Sequence, residues 1–207
     1  MRIAKDAWIF VLPILVATIL LYTLHWLAAS GVVLVLTLFI LYFFRDPERE
    51  IPEDLLAVVS PADGRVMEVE PVNVGGASRI RIGIFLSVFD VHINRSPIAG
   101  RVTSVRYQKG KFEAAFKKSV STENEQNRLT ITGTSATVEV AQIAGLIARR
   151  IVCYKGEGDT VLRGERIGLI KFGSKTDCLL PPDAEVKVQV GDHVRGGASM
   201  IARLKED

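Results

Sequence analysis

Two apolar runs, Ala7 to Leu24 and Leu27 to Phe44, contain no Asp, Glu, Lys or Arg, and they constrain this chain more than any other feature. A helix of about 17–25 apolar residues spans a bilayer, and each run sits near the lower end of that range. Only His25 and Trp26 separate them, so the expected form is a tight transmembrane helical hairpin over residues 1–44. Arg2 and Lys5 precede the first run, and Arg45 and Arg49 follow the second. Cations on that side put both ends of the hairpin in the cytoplasm. Trp8, Trp26, Tyr42, Phe43 and Phe44 stand near the run ends, where aromatic rings favour the interface. A cleaved signal peptide is the competing reading, but the second run and the lack of a small-residue cleavage site weigh against it. A re-entrant hairpin stays open because both runs are short.

The runs also account for the composition. Of the 207 residues 48% are hydrophobic, and most of the excess lies before Arg45, leaving one domain's worth of chain behind it. A net charge of +3 argues against a nucleic-acid binder, which needs a clustered basic face, and suits proximity to anionic lipid. Cys153 and Cys178 form no C-x-x-C pair and have no partners for a zinc site. They read as reduced core residues of a cytoplasmic domain, a disulfide between them being the alternative.

Residues 45–207 read as a mainly β domain. Short alternating segments such as Arg65–Val69 and Glu185–Val190 are separated by Gly, Pro and Asp turns. One helix or ordered loop is expected between Lys111 and Lys118, where Phe112 and Phe116 suit either the core or a membrane interface. Two internal repeats stand out. Ser60-Pro61-Ala62-Asp63-Gly64-Arg65-Val66 recurs as Ser96-Pro97-Ile98-Ala99-Gly100-Arg101-Val102, and Gly158-Asp159-Thr160-Val161 with Gly164 recurs as Gly191-Asp192-His193-Val194 with Gly197. These turns resemble those of barrel-sandwich hybrid domains, the family of biotinyl and lipoyl carriers. The resemblance implies a compact, mostly antiparallel sandwich of related halves.

The repeat acts as an internal control on Asp63. Ala99 replaces it in the second copy, so the turn does not require a carboxylate and Asp63 is available for chemistry, although a turn aspartate capping a local amide is an even alternative. Of the three histidines, His25 lies in the apolar hairpin and His193 in an exposed-looking turn. His92 is left as the candidate general base. The Gly173-Ser174 bond after a small apolar strand supplies a hydroxyl next to a backbone carbonyl. Asp63 orienting His92, and His92 deprotonating Ser174, would make an acid, base and nucleophile set.

Four stretches together carry a family resemblance: Phe43-Phe44-Arg45-Asp46-Pro47-Glu48-Arg49 after the hairpin, Ser60-Pro61-Ala62-Asp63-Gly64, Phe89-Asp90-Val91-His92-Ile93-Asn94-Arg95, and Lys171-Phe172-Gly173-Ser174. In this order they resemble the short prokaryotic form of phosphatidylserine decarboxylase. The resemblance implies a zymogen that cuts itself at Gly173-Ser174 into a β subunit ending at Gly173 and an α subunit beginning at Ser174. It further implies that Ser174 becomes a covalent pyruvoyl group, and that Asp63 and His92 are the acid and base. Lys175 departs from the pattern, since many members carry Ser or Thr after the cleavage serine. Phe89 stands where longer forms carry a second histidine.

A pyruvoyl carbonyl would replace pyridoxal phosphate as the electron sink that amino-acid decarboxylation needs, and His92 is the candidate for reprotonating the α-carbon. Arg95, Lys111 and Lys175 are candidate partners for the substrate's phosphate and carboxylate, with a solvated surface as the alternative for each. Arg45 and Arg49 are expected to hold the domain against anionic headgroups. The expected activity is conversion of phosphatidylserine to phosphatidylethanolamine at the cytoplasmic face of the cell membrane, with no metal and no nucleic acid. The oligomeric state stays open, a homo-oligomer included. A membrane-tethered, biotinyl/lipoyl-like adaptor without activity is the alternative of another class, but the repeated turns offer no modifiable lysine at a hairpin tip. An archaeal ether-linked serine phospholipid is the alternative substrate.

Overall fold

A computed structural model describes residues 2–113, 120–146, 150–171 and 174–206. The chain divides into two compact units, Met1–Glu48 and Arg49–Asp207.

In the first unit, helix α1 (Trp8–Thr23) follows a short 3-10 turn, and helix α2 (Leu27–Phe43) comes after a reversal at His25, whose φ is +60°. Ser30 Oγ donates to the Thr18 carbonyl at 3.1 Å, so the two helices pack on each other. Beneath their open ends, β1 (Arg2–Ile3) pairs antiparallel with β2 (Arg45–Asp46). Ile9, Val16, Leu20, Val32 and Val35 are exposed along the helices. A helix surface that is apolar on its open side suits lipid. The segment Lys5–Thr23 is long and apolar enough to cross a membrane; Leu27–Phe43 is apolar but shorter.

The second unit is mainly β. Its strands are β3 (Ala57–Val59), β4 (Gly64–Val74), β5 (Ala77–Leu86), β6 (Ile93–Arg95), β7 (Gly100–Gln108), β8 (Gln126–Thr132), β9 (Thr137–Ile143), β10 (Ile151–Cys153), β11 (Thr160–Val161), β12 (Arg166–Ile170), β13 (Ser174–Leu180), β14 (Glu185–Val186), β15 (His193–Val194) and β16 (Met200–Arg203). Eight of them form one antiparallel sheet in the order β11-β7-β8-β9-β13-β5-β4-β15, flanked by the smaller sheets β10-β12-β6 and β14-β16-β3. The inner face packs Val66, Ile82, Ile84, Leu129, Ile131, Val140, Cys178 and Leu180 into one core, as strand alternation requires. Both cysteines are free thiols, and complete burial pushes that of Cys178 up.

The two sequence repeats pair with each other. Val66 N donates to Asp192 O and Val102 N to Asp159 O, each at 2.8 Å, while Gly197 N meets Ser60 O and Gly164 N meets Ser96 O at the same distance. Each Ser hydroxyl closes its own turn at 2.6 Å, Ser60 on Ala62 O and Ser96 on Ile98 O. The halves then lock crosswise, Val59 N on Pro97 O and Arg95 N on Pro61 O. The Ser, Pro and Gly shared by both copies are therefore what this paired turn uses.

The helix expected between Lys111 and Lys118 falls largely on residues 114–119, Phe116 included, which lie outside the described residues. Lys111 bridges to Asn124, and a single helical turn, α3 (Val120–Glu123), closes the segment.

Candidate active site

Ser174 opens β13, opposite Leu86 at the end of β5. It is fully buried, and its Oγ has no hydrogen-bond partner among the described residues. A buried hydroxyl without a partner costs free energy, and such groups mark functional positions. Phe172 and Gly173, and with them the expected scissile bond, lie outside the described residues.

His92 is buried just before β6 and extends the β6–β12 ladder, its carbonyl accepting from Ile170 N at 3.3 Å. Its ring Nδ1 lies 2.9 Å from the Asp90 carbonyl. If that nitrogen carries the proton, Nε2 is left with the lone pair that a general base needs. The Asp90 carboxylate shapes the turn itself, accepting from Ser87 N at 2.8 Å and Ser87 Oγ at 2.7 Å. Its other oxygen is 3.2 Å from His193 Nε2. His193 is thus exposed but attached to the turn that holds His92.

A chain of buried amides connects the strands carrying His92 and Ser174. Asn127 Nδ2 donates to Gln142 Oε1 at 3.2 Å, Gln142 Nε2 to Asn94 Oδ1 at 2.9 Å, and Asn94 Nδ2 to Thr176 Oγ1 at 3.0 Å. Thr176, Gln142 and Asn127 are direct cross-strand neighbours on β13, β9 and β8. Residues two apart on a strand share a face, so Ser174 stands on the Thr176 side of β13. Gly168 of β12 makes room for this contact: a Cβ there would stand 2.6 Å from Gln142 Nε2.

Asp63 is buried and receives Arg49 Nη2 on both oxygens, at 2.9 and 2.7 Å, plus the Gly196 N–H at 2.8 Å. Burial raises its pKa; the Arg49 charge and the Gly196 hydrogen bond oppose the rise, and the charge of Asp90 adds to it. Asp63 thus lies within electrostatic reach of the turn that carries His92. Arg49 corrects its sequence assignment: it is not a surface cation for headgroups but is spent on a buried carboxylate, which would otherwise be left without a counter-charge.

The three candidate anion partners differ in setting. Lys111 is exposed and bridges Glu123 at 3.1 Å. Arg95 is buried and donates to the Gly164 carbonyl at 3.0 Å, a link between repeats. Lys175 points to the face opposite Ser174 and is 1% exposed. Its Nζ lies 2.7 Å from Glu68 Oε2, 2.7 Å from Ser121 Oγ and 3.2 Å from Asp177 Oδ1. To reach Glu68 on β4 it crosses β5 over Gly83, where a Cβ would stand 2.8 Å from Lys175 Cε. Glycine inside a strand marks such a close approach. That glycine, in the run Arg81-Ile82-Gly83-Ile84, was the available sequence signal for a cluster that residue patterning missed. The Asn94 chain left no comparable signal, because amides in strands are ordinarily surface residues. No group of three or more His, Cys, Asp or Glu side chains suited to a metal occurs among the described residues.

The protein-family model described as phosphatidylserine decarboxylase matches residues 36–202. The chain is 55% identical over 170 residues to a phosphatidylserine decarboxylase proenzyme of Solibacter usitatus, covering 82% of this chain and 81% of that protein. It is 49% identical over 208 residues to one from Symbiobacterium thermophilum, covering 99% and 96%. A third, from Burkholderia ambifaria, is 41% identical over 207 residues, covering 99% and 97%. With the match running through the repeats, the His92 strand and β13, the chain belongs to the phosphatidylserine decarboxylase family.

Proposed function

We propose that this chain is the precursor of a membrane-bound phosphatidylserine decarboxylase, which cuts itself between Gly173 and Ser174 and then converts phosphatidylserine to phosphatidylethanolamine. The observation that carries the reading is the Ser174 hydroxyl, buried without a partner among the described residues at the first residue of β13, in a chain of this family.

His92 takes the hydroxyl proton, and Ser174 Oγ attacks the Gly173 carbonyl carbon. The C–N bond breaks, leaving an ester between Gly173 and the Ser174 side chain and a free amine on Ser174. Loss of the Ser174 α-proton then expels Gly173 as a carboxylate and leaves dehydroalanine. Water replaces the nitrogen, which departs as ammonia, and the smaller subunit begins with a pyruvoyl group. Once formed, that group supplies the electron sink for decarboxylation. Asp63, its charge supported against burial by Arg49, is the supporting carboxylate of the set. His92 returns a proton to the α-carbon after carbon dioxide has left. Arg95 and Lys111 are the remaining candidates for headgroup anions, whereas the carboxylates around Lys175 already neutralise it.

The first unit acts as the membrane anchor, α1 and α2 forming a hairpin with both ends cytoplasmic; the flanking Arg2, Lys5 and Arg45 support that orientation. The paired repeats support a barrel-sandwich-hybrid-like arrangement for the catalytic domain. An ether-linked serine phospholipid would undergo the same headgroup chemistry.

Intact mass and a denaturing gel of the purified protein test the reading. Two chains separated at Gly173-Ser174 are expected, the smaller blocked to Edman degradation, with Ser174→Ala left whole. A single full-length chain in a preparation that decarboxylates phosphatidylserine would sink it.

A further inference from the structure

A cut before Ser174 turns a residue inside a sheet into a chain end. Chain ends fray unless something ties them down, and this one has less than most to hold it. A pyruvoyl residue carries no backbone nitrogen, so it donates nothing to a neighbouring strand. Ser174 has a cross-strand partner on β5 alone, Leu86, whereas Lys175 is the first residue of β13 paired on both sides, with Phe85 and Ile143. Lys175 is therefore the first residue behind the new end that can secure it.

Its side chain is placed to do so. Asp177 on β13, Gly83 on β5 and Glu68 on β4 stand in one row across the three strands. The missing side chain at Gly83 opens this row: a Cβ there would stand 2.8 Å from Lys175 Cε, 3.2 Å from Asp177 Oδ1 and 3.2 Å from Glu68 Oε2. Glu68 joins the row through a shift of register between Val66 and Glu68. Val66 and Val69 both pack in the core although they lie three positions apart, so the irregularity turns Glu68 to the opposite face, as a β-bulge does. Lys175 Nζ meets Glu68 Oε2 and Ser121 Oγ, each at 2.7 Å, and Arg81 Nε lies 3.4 Å from the same Glu68 oxygen. Glu68 and Ser121 both precede the cut, so the contact runs from the residue beside the cut to two elements of the larger subunit.

We infer that Lys175 anchors the new chain end: its buried ammonium, held by Glu68 of β4 and Ser121 of α3, keeps residue 174 in register with Leu86 once the bond before it is broken. The inference rests on the decarboxylase reading. Lys175 is a positioning residue, acting on the chemistry through residue 174. Before the cut, continuous chain on both sides holds Ser174, and the anchor matters only afterwards. A lysine stem has the length to cross β5, which serine or threonine at this position has not.

The test uses the full-length chain, in which Lys175→Met keeps most of the stem and removes the charge. Hydrogen exchange at the start of β13 is measured relative to its end, a ratio that a general loss of stability leaves unchanged. Lys175→Met should raise this ratio in the self-cleaved protein and leave it at the parent's value in the uncut Ser174→Ala background. In the cleaved protein its kcat on phosphatidylserine should fall by up to about a hundredfold with little change in KM. Phenylhydrazine, which condenses with accessible ketones, should at the same time label the smaller subunit faster than in the parent. Glu68→Gln, which leaves Lys175 beside Asp177, should move all three readouts the same way by less, and it carries the test alone if Lys175→Met does not fold or is not cut. An equal rise of the exchange ratio in cut and uncut forms, or exchange and labelling that stay at the parent's values in the cleaved variants, overturns the anchor. A parent chain that intact mass shows never to be cut overturns the decarboxylase reading instead, a result obtained before any variant is made.

Discussion

Asn94 donates to Thr176 at 3.0 Å, and the two residues that precede this pair by two positions are His92 and Ser174. The contact joins the small sheet carrying the candidate base to the large sheet carrying the candidate nucleophile. It acts as a spacer between them.

Thr176→Val keeps the shape and removes the acceptor, leaving a buried amide N–H unpaired at a cost of about 1–3 kcal/mol. If that cost falls on the alignment of His92 with Ser174, self-cleavage slows by roughly tenfold or more, and Thr176→Ser restores it. Time-resolved intact mass after translation reads the rate. Unchanged cleavage in Thr176→Val would show that the contact is structural only.

Lys175 is enclosed by Glu68, Asp177 and Ser121, all buried. Lys175→Met removes the shared cation of Glu68 and Asp177; Arg81 still bridges Glu68 at 3.4 Å, so the expected loss lies below the roughly 3–5 kcal/mol of a fully uncompensated buried pair. Adding Glu68→Gln should return part of that loss. Denaturant melts in the uncut Ser174→Ala background measure both, and equal stability of the parent and Lys175→Met would contradict the cluster.

Gly83 lets the Lys175 stem cross β5, so Gly83→Ala and Lys175→Met should not be additive. A double-mutant cycle is expected to show coupling of about 0.5–3 kcal/mol, because removing the lysine stem also removes the atom that the new methyl would meet. Additive losses would place the lysine stem elsewhere.

Arg49 keeps the Asp63 carboxyl charged against burial, which on its own raises the pKa. Arg49→Gln should therefore raise it further, so that the carboxyl binds a proton at higher pH. The acid limb of the self-cleavage profile then moves upward in pH, and Arg49→Lys moves it less. Stability changes in the same sense. A carboxyl whose folded pKa exceeds its unfolded one favours folding below the unfolded value, and this contribution is lost as pH rises through the folded value. An acid limb that stays in place would separate Asp63 from catalysis.

Much of the fold was legible in local pattern. The uncharged runs up to Phe44 are helices, and Arg65–Val69 lies within β4, whereas the expected strand over Glu185–Val190 is strand only at Glu185–Val186. The repeats announced themselves through Ser-Pro-x-x-Gly-Arg-Val, because the same turn needs the same closing hydroxyl and the same glycine. His92 was reached as the candidate base by elimination among the three histidines. The role of Arg49 was not legible, since an arginine after an apolar run looks like any interfacial cation until a carboxylate distant in sequence is brought against it. Glu68 and Asn94 were missed because charged and amide side chains in strands ordinarily face water.

The sequence by itself determined the apolar runs, the β-rich remainder, the repeated turns and the Gly-Ser bond, all of which depend on neighbours within a few residues. Tertiary structure alone decided which face of β13 each residue takes. Strand alternation sends Ser174 inward beside Thr176 and Lys175 outward across Gly83, because one faces a core bounded by β6 and the other a carboxylate on β4. Those partners are separated from β13 by between 80 and 110 residues of chain, a distance over which only packing, and no local propensity, carries information.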